Sequence, residues 1–147
     1  SKRPVTVANQ ADMREQEALL LREIIAARLK ANPNVNLIVL GDFNDTNDAK
    51  PIKTIKGRGR GALIDIRPAE RNGDDQPNPS PGHPPRNVTW TFYYGKEDAY
   101  ERIDYIFLSP GMAREWRQEG TYVLTLPNWG VGSDHRPIIA AFSAEDK

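Results

Sequence analysis

The chain has 147 residues, 38% hydrophobic and 27% charged, with 20 basic side chains against 20 acidic ones. That is the length and composition of one globular domain, 1–147, and the charge balance argues against a polyanion binder with a wholly basic surface, while leaving local patches open. Without cysteine there is no disulfide framework or thiolate metal site, and apolar runs far short of the roughly 20 residues of a membrane helix argue against a membrane partner.

Ala18, Leu21, Ile25 and Leu29 fall on one stripe, with Ile24 beside it, and predict an amphipathic helix from Arg14 to about Ala31. Asp12 and Glu15 have capping-box spacing at its start, Asn32-Pro33 supplies the stop, and residues before Asp12 read as a loop. Asn36 to Leu40 is a continuous apolar run, fit for a strand buried on both faces, and ends abruptly at Gly41-Asp42. Ala62 to Ile66 is a short candidate strand. Five prolines between Glu70 and Asn87 exclude regular structure there, and no role is expected for His83 within it. Thr89 to Tyr94 and Ile103 to Ser109 read as strands. Ser109-Pro110 fits an N-cap and first position of a short helix reaching about Arg117, and strands at Thr121 to Leu126 and Pro137 to Phe142 follow.

The strands at Leu37 to Leu40, Ile103 to Leu108 and Ile138 to Phe142 carry apolar side chains on both faces, so each needs cover above and below. One long helix and one short one cover a single face. A further layer is therefore expected, from an upstream half that is absent or from a second copy of the chain associating through the open sheet face. Ser rather than Met at position 1 favours the upstream half.

Three polar motifs end apolar strands: Gly41-Asp42-Phe43-Asn44, Arg102-Ile103-Asp104-Tyr105, and Ser133-Asp134-His135-Arg136-Pro137. In order and rough spacing, together with Thr89-Trp90-Thr91-Phe92, they resemble the second half of the endonuclease/exonuclease/phosphatase superfamily, from about Arg14 to Phe142. The resemblance implies an α/β (α+β) fold: half of a four-layer α/β/β/α sandwich, with one mixed, mainly antiparallel sheet and helices on one face. It also implies a metal-dependent phosphoesterase, nuclease-like, using Mg2+ or Mn2+ on a phosphate-ester substrate, nucleic acid among the candidates. The Asn and Glu that hold the family's main metal have no match here, which implies little turnover by the isolated chain.

On that resemblance Asp42 orients or deprotonates the attacking water. Asn44, two residues on in an extended segment, hydrogen-bonds a phosphate oxygen, and both can touch a second metal. An Asx turn after a strand explains the same pair without function. His135 would face the phosphate as an imidazolium, with Asp104 accepting its ring N–H; alternatively Asp104 is a buried partner for Arg102. Asp134 suits a hard cation or a positioned water. Whether Asp42 or His135 takes the proton stays open. Trp129, just before Ser133, is the best placed of the tryptophans for substrate contact.

Asp42 to Asp48 begins like a calcium loop but has Asn47 where glycine is required and Lys53 at the twelfth place, which excludes an EF-hand. Gly57-Arg58-Gly59-Arg60-Gly61 precedes a strand rather than opening a helix, so it reads as a flexible connection. Lys50, Lys53, Lys56, Arg58 and Arg60 run without an intervening acid, consistent with nucleic-acid phosphates or with a solvated loop. A non-catalytic module that associates through an uncovered sheet is the competing reading of the whole chain.

Overall fold

Alternation along one strand organises the fold. The structure, a computed structural model, describes residues 7–70 and 90–145. In chain order its elements are α1 (Val7–Ala31), β1 (Ile38–Asp42), α2 (Lys50–Lys56), a 3-10 turn (Gly59–Gly61), β2 (Ile64–Asp65), β3 (Phe92–Tyr94), β4 (Ala99–Glu101), β5 (Asp104–Leu108), α3 (Pro110–Ala113), β6 (Trp116–Val123) and β7 (Ile138–Phe142). Strand β5 lies between β1 and β2, antiparallel to both. Successive strand side chains point to opposite faces. Tyr105 and Phe107 thus join Ile25 and Leu29 of α1 and Ile52 and Ile55 of α2 in the main core. Leu108 and Ile106 instead meet Met112, Trp116, Ala140 and Phe142, a smaller core shared with β6 and β7.

The fold is α+β, but the expected single mixed sheet is, among the described residues, three small antiparallel ones: β1-β5-β2, β3-β4 and β6-β7. The β6-β7 pair shifts register between Arg117 and Tyr122, a bulge that twists it and limits its extent. Strand β1, whose apolar run calls for cover on both faces, is covered on one only, as the shortage of helices leads one to expect: Val39 packs on the main core while Leu40 is 64% and Ile38 37% exposed. A run of apolar residues shows that a strand can be buried on both faces, not that a partner layer is at hand.

Helix α1 starts at Val7, so Asp12 lies inside it and the capping box does not form. Gln10, Ala11 and Met13 are good helix formers, and an interior Asp costs only about 0.7 kcal/mol, too little to end the helix there. Its end is as expected: Asn32 N–H closes on Arg28 O, and Asn32 Oδ1 accepts from Asn34 N–H. Ile24, beside the buried stripe, is 60% exposed and forms with Met13 and Leu20 a second, uncovered apolar stripe.

Ser109 caps α3 as expected, its Oγ accepting from Met112 N–H at 3.2 Å while donating to Val35 O at 2.6 Å. The helix stops at Ala113 rather than near Arg117 because Trp116 already enters β6, where its indole N–H donates to Thr121 Oγ1. Gly111 is required by a close approach: a Cβ there would lie 2.3 Å from Asn34 O. The Gly57 to Ala62 segment is not loose. Arg22 Nη1 donates to Ile55 O and Lys56 O and its Nη2 to Gly61 O at 2.6 Å, satisfying carbonyls left over at the end of α2. The proline-rich stretch, with His83, lies outside the described residues apart from Glu70.

Candidate active site

Antiparallel register brings two of the motifs together. Asp42, last in β1, stands opposite Asp104, first in β5, so both carboxylates leave the same end of the sheet. They belong to the face of Leu40 and Ile106, away from α1 and α2. The ladder runs one bond further, Phe43 N–H to Ile103 O, and Phe43 is held edge-on by Tyr105 and Phe107 at 5.8 and 5.9 Å. A rigid strand end thus carries Asp42.

The third motif arrives as a short antiparallel addition to β3. Arg136 N–H donates to Thr91 O, Tyr93 N–H donates to Asp134 O, and Phe92 is bridged to His135. Ser133 Oγ accepts from His135 N–H, and the Phe92 ring packs on the imidazole at 4.9 Å. His135 Nδ1 lies 2.9 Å from Asp104 Oδ2, while Nε2 is 3.8 Å from Asp42 Oδ2 and 3.9 Å from Asp134 Oδ1. With Nδ1–H donated to Asp104, Nε2 is the atom that faces the carboxylates and the cleft.

Burial opposes charge on His135, but the hydrogen bond to Asp104 and the negative charges of Asp104, Asp42 and Asp134 together outweigh it and raise its pKa. Tyr105, pushed up to about 12 mainly by burial, stays a neutral phenol that donates to Asp45 O at 2.8 Å and fixes the loop after Asp42.

Asn44 is placed differently from expectation. The chain leaves the extended conformation after Asp42: Asn44 has φ of 53° and its N–H donates to Asp42 Oδ1, the Asx turn that was the alternative reading. The two side chains therefore do not share a face by strand alternation. Asp42 lines a cleft of about 370 Å³ with Leu40, Asp104, Ser133, His135 and Pro137. Asn44 lines a neighbouring one of about 390 Å³, which Asp42 also borders, with Arg14, Glu17 and Pro51.

Asp42, Asp104 and His135 offer one ligand atom each within 4.8 Å of one another. Two carboxylates beside a solvent-open cleft suit a hard divalent cation that keeps several waters, so the donor set fits a metal. Asp134 is not in this group, although its Oδ1 is 3.9 Å from His135 Nε2. Trp129 is 36% exposed and packs edge-on against Trp90 at 4.8 Å and Tyr93 at 6.0 Å, on the hairpin that carries Thr91 rather than against the carboxylates.

The sequence reading missed Thr91 and Arg136. Thr91 is fully buried; its Oγ1 donates to Asp104 Oδ2 at 2.6 Å and accepts from the N–H groups of Ile103 and Asp104, both at 3.3 Å. Arg136 is 3% exposed, with Nη2 2.5 Å from Glu70 Oε2, Nη1 donating to Trp90 O, and Cζ 3.9 Å above the Trp90 ring. A hydroxyl set between aromatic residues, and an arginine directly after the histidine, were the available signals.

No protein of curated function and no solved structure matches the chain. Residues 1–135 match the endonuclease/exonuclease/phosphatase family, ending on the histidine that Asp104 holds. With that match spanning nearly all of the sequence and its motifs converging at one sheet end, the chain belongs to the endonuclease/exonuclease/phosphatase family.

Proposed function

We propose that the chain carries the carboxylate and imidazole groups of a nuclease-like phosphoesterase centre. Family membership points to a metal-dependent hydrolase of phosphate esters. The observation that supports this reading best is the convergence of Asp42, Asp104 and His135 from separate elements, with Nε2 left facing the cleft.

Asp104, held by Thr91, keeps the imidazole oriented and favours its charged form. The imidazolium Nε2–H then donates to a phosphate oxygen and stabilises charge as it builds there. With the His135 Nε2–H turned to the phosphate, Asp42, at the cleft on the other side, orients the attacking water and takes its proton. Asn44 contacts a second phosphate oxygen across the neighbouring cleft, Asp134 positions water at the rim, and Trp129 meets the substrate beyond the reacting group. Asp42 with Asn44 or Asp134 would hold a Mg2+ or Mn2+ ion, which would neutralise charge on the non-bridging oxygens.

Hydrolysis of bis-p-nitrophenyl phosphate in Mg2+ or Mn2+ tests the assignment. Asp42→Asn and His135→Ala should each abolish it, and turnover that survives both refutes it.

A specific observation favours a second reading, in which the chain is one layer of a larger assembly. Leu40, Ile38, Ile64 and Ile139 are exposed on the strands, and Met13, Leu20 and Ile24 on α1. A further sheet on this face would complete a four-layer sandwich and bring the ligands that this chain lacks; without it, a binding module remains. Light scattering after size exclusion should show self-association through that face, and a clean monomer at high concentration contradicts it.

A further inference from the structure

We propose that α2 and the glycine-arginine turn after it form a docking surface for a nucleic-acid backbone, an inference that rests on the phosphoesterase reading and names its substrate class. From Lys50 to Arg60 there are five cations and no acid, in a chain of zero net charge. Lys50 pairs with Glu15 at 2.7 Å. Lys53, Lys56, Arg58 and Arg60 are exposed and have no ion pair among the described residues. Lys50, Lys53, Thr54, Gly57 and Arg58 line a groove of about 500 Å³, in which Asp48 is bound by Thr46 at 2.6 Å.

A solvated basic loop needs no order, whereas this one is clasped. Arg22 bonds carbonyls on both sides of the turn. The glycines make room for that clasp: a Cβ at Gly57 would lie 2.4 Å from Arg22 Nη1, and one at Gly61 3.0 Å from Nη2. Arg58 and Arg60 are left pointing outward on a fixed backbone, so less entropy is lost on binding than for a free loop. The segment from Lys56 to Gly61 has no apolar side chain to insert into lipid, and Ile52 and Ile55 of α2 are buried. That favours a polynucleotide over an anionic membrane, which also requires an apolar face.

The test is fluorescence anisotropy with a labelled oligothymidylate of about 20 nucleotides, in chelator, over a salt series from about 50 to 300 mM. The triple substitution Lys53→Glu, Arg58→Glu and Arg60→Glu should weaken binding at least about tenfold at low salt. It should also make the slope of log K against log salt shallower by about 2, near 0.7 for each lost single-strand phosphate contact. Arg22→Gln, with those three charges kept, should weaken binding several-fold. Unchanged affinity and slope in the triple variant overturn the docking surface, and unchanged affinity in Arg22→Gln overturns its pre-ordering. Binding to phosphatidylserine vesicles that the triple variant loses, with oligothymidylate unbound, overturns it in favour of a membrane. Turnover of bis-p-nitrophenyl phosphate should be the same in triple variant and parent; if that turnover is absent while oligothymidylate binds as described, the catalytic reading fails and the docking surface stands.

Discussion

The two faces of the β1-β5-β2 sheet are built from alternate residues of the same strands and are covered unequally. Phe107 and Tyr105, on the helix side, are 0% and 1% exposed, whereas on the other face Leu108 of β5 is buried against the smaller core but Leu40 of β1 is 64% exposed. Asp42 and Asp104 end the less covered face, where Asp42 also borders the cleft it shares with Arg14, Glu17 and Pro51, so the polar chemistry sits at the rim of the sheet. Along β1, stability and function are thus separated by a single residue step. Phe107→Ala, in the closed core, should cost about 3–5 kcal/mol, a large part of the ~5–15 kcal/mol of a typical domain. Urea unfolding measures it, and a loss below about 1 kcal/mol would mean that the helix face is not the stabilising one.

His135→Ala sharpens the contrast from the other side. It should lower phosphodiester turnover by about 10²–10⁴-fold while lowering the urea midpoint far less than Phe107→Ala does, because the imidazole's partners, Phe92, Asp104, Asp42 and Asp134, lie at the rim rather than in the core. Equal losses of activity and stability would erase the separation. Thr91 joins the two regions, being fully buried yet bonded to Asp104. Thr91→Val keeps the volume but leaves Asp104 Oδ2 to His135 alone. A hydrogen bond to a charged group is worth about 1.5–3 kcal/mol, so turnover should fall about tenfold or more, with Thr91→Ser restoring most of it. Failure of serine to rescue would make Thr91 a packing residue.

What could be read beforehand follows the same division. The motifs at Asp42, Asp104 and His135 mark strand ends by residue type alone, and apolar runs located β1, β2, β3, β5 and β7 to within a few residues, whereas β4 was missed and β6 begins at Trp116, ahead of the expected Thr121. The open face of β1 was legible too: the run from Asn36 to Leu40 is apolar on both faces, and one long helix with one short one can cover only one of them. The start of α1 was missed since Asp12, a good cap, is also a tolerable interior residue when the residues before it favour helix. Asn44 was placed by strand alternation, which fails once Asp42 accepts its N–H and turns the chain. Thr91 and Arg136 act through contacts between distant segments, such as Arg136 with Glu70, and no local pattern encodes those.

The pH dependence of stability should come from the rim. His135 has a raised pKa when folded, so its contribution is fully present below the unfolded histidine value of about 6.5 and is lost as pH rises through the higher folded value. In chelator, the difference in urea midpoint between the parent and His135→Gln should therefore shrink as pH rises from about 6 to about 9. A difference that grows with pH would mean that burial, which disfavours the charged imidazole, outweighs the carboxylates.

The smallest effect is the most pointed test of the open face. Leu40 lies opposite Ile106 in the β1-β5 register, yet Ile106 packs against the smaller core while Leu40 remains in solvent. A side chain already in water has little transfer energy to lose, so Leu40→Thr should change stability by no more than about 0.5 kcal/mol. Threonine is β-branched, a shape that strands favour, which removes a backbone explanation for any larger loss. If another layer of protein covers this face, the same substitution should weaken that association, because the buried apolar area is then worth roughly 25 cal/mol per Å². Sedimentation at several concentrations reads the association and urea unfolding of the monomer reads the fold. A loss of 2 kcal/mol or more, about the value of a fully buried leucine, would place Leu40 inside a core of the chain itself and close the face that the comparison holds open.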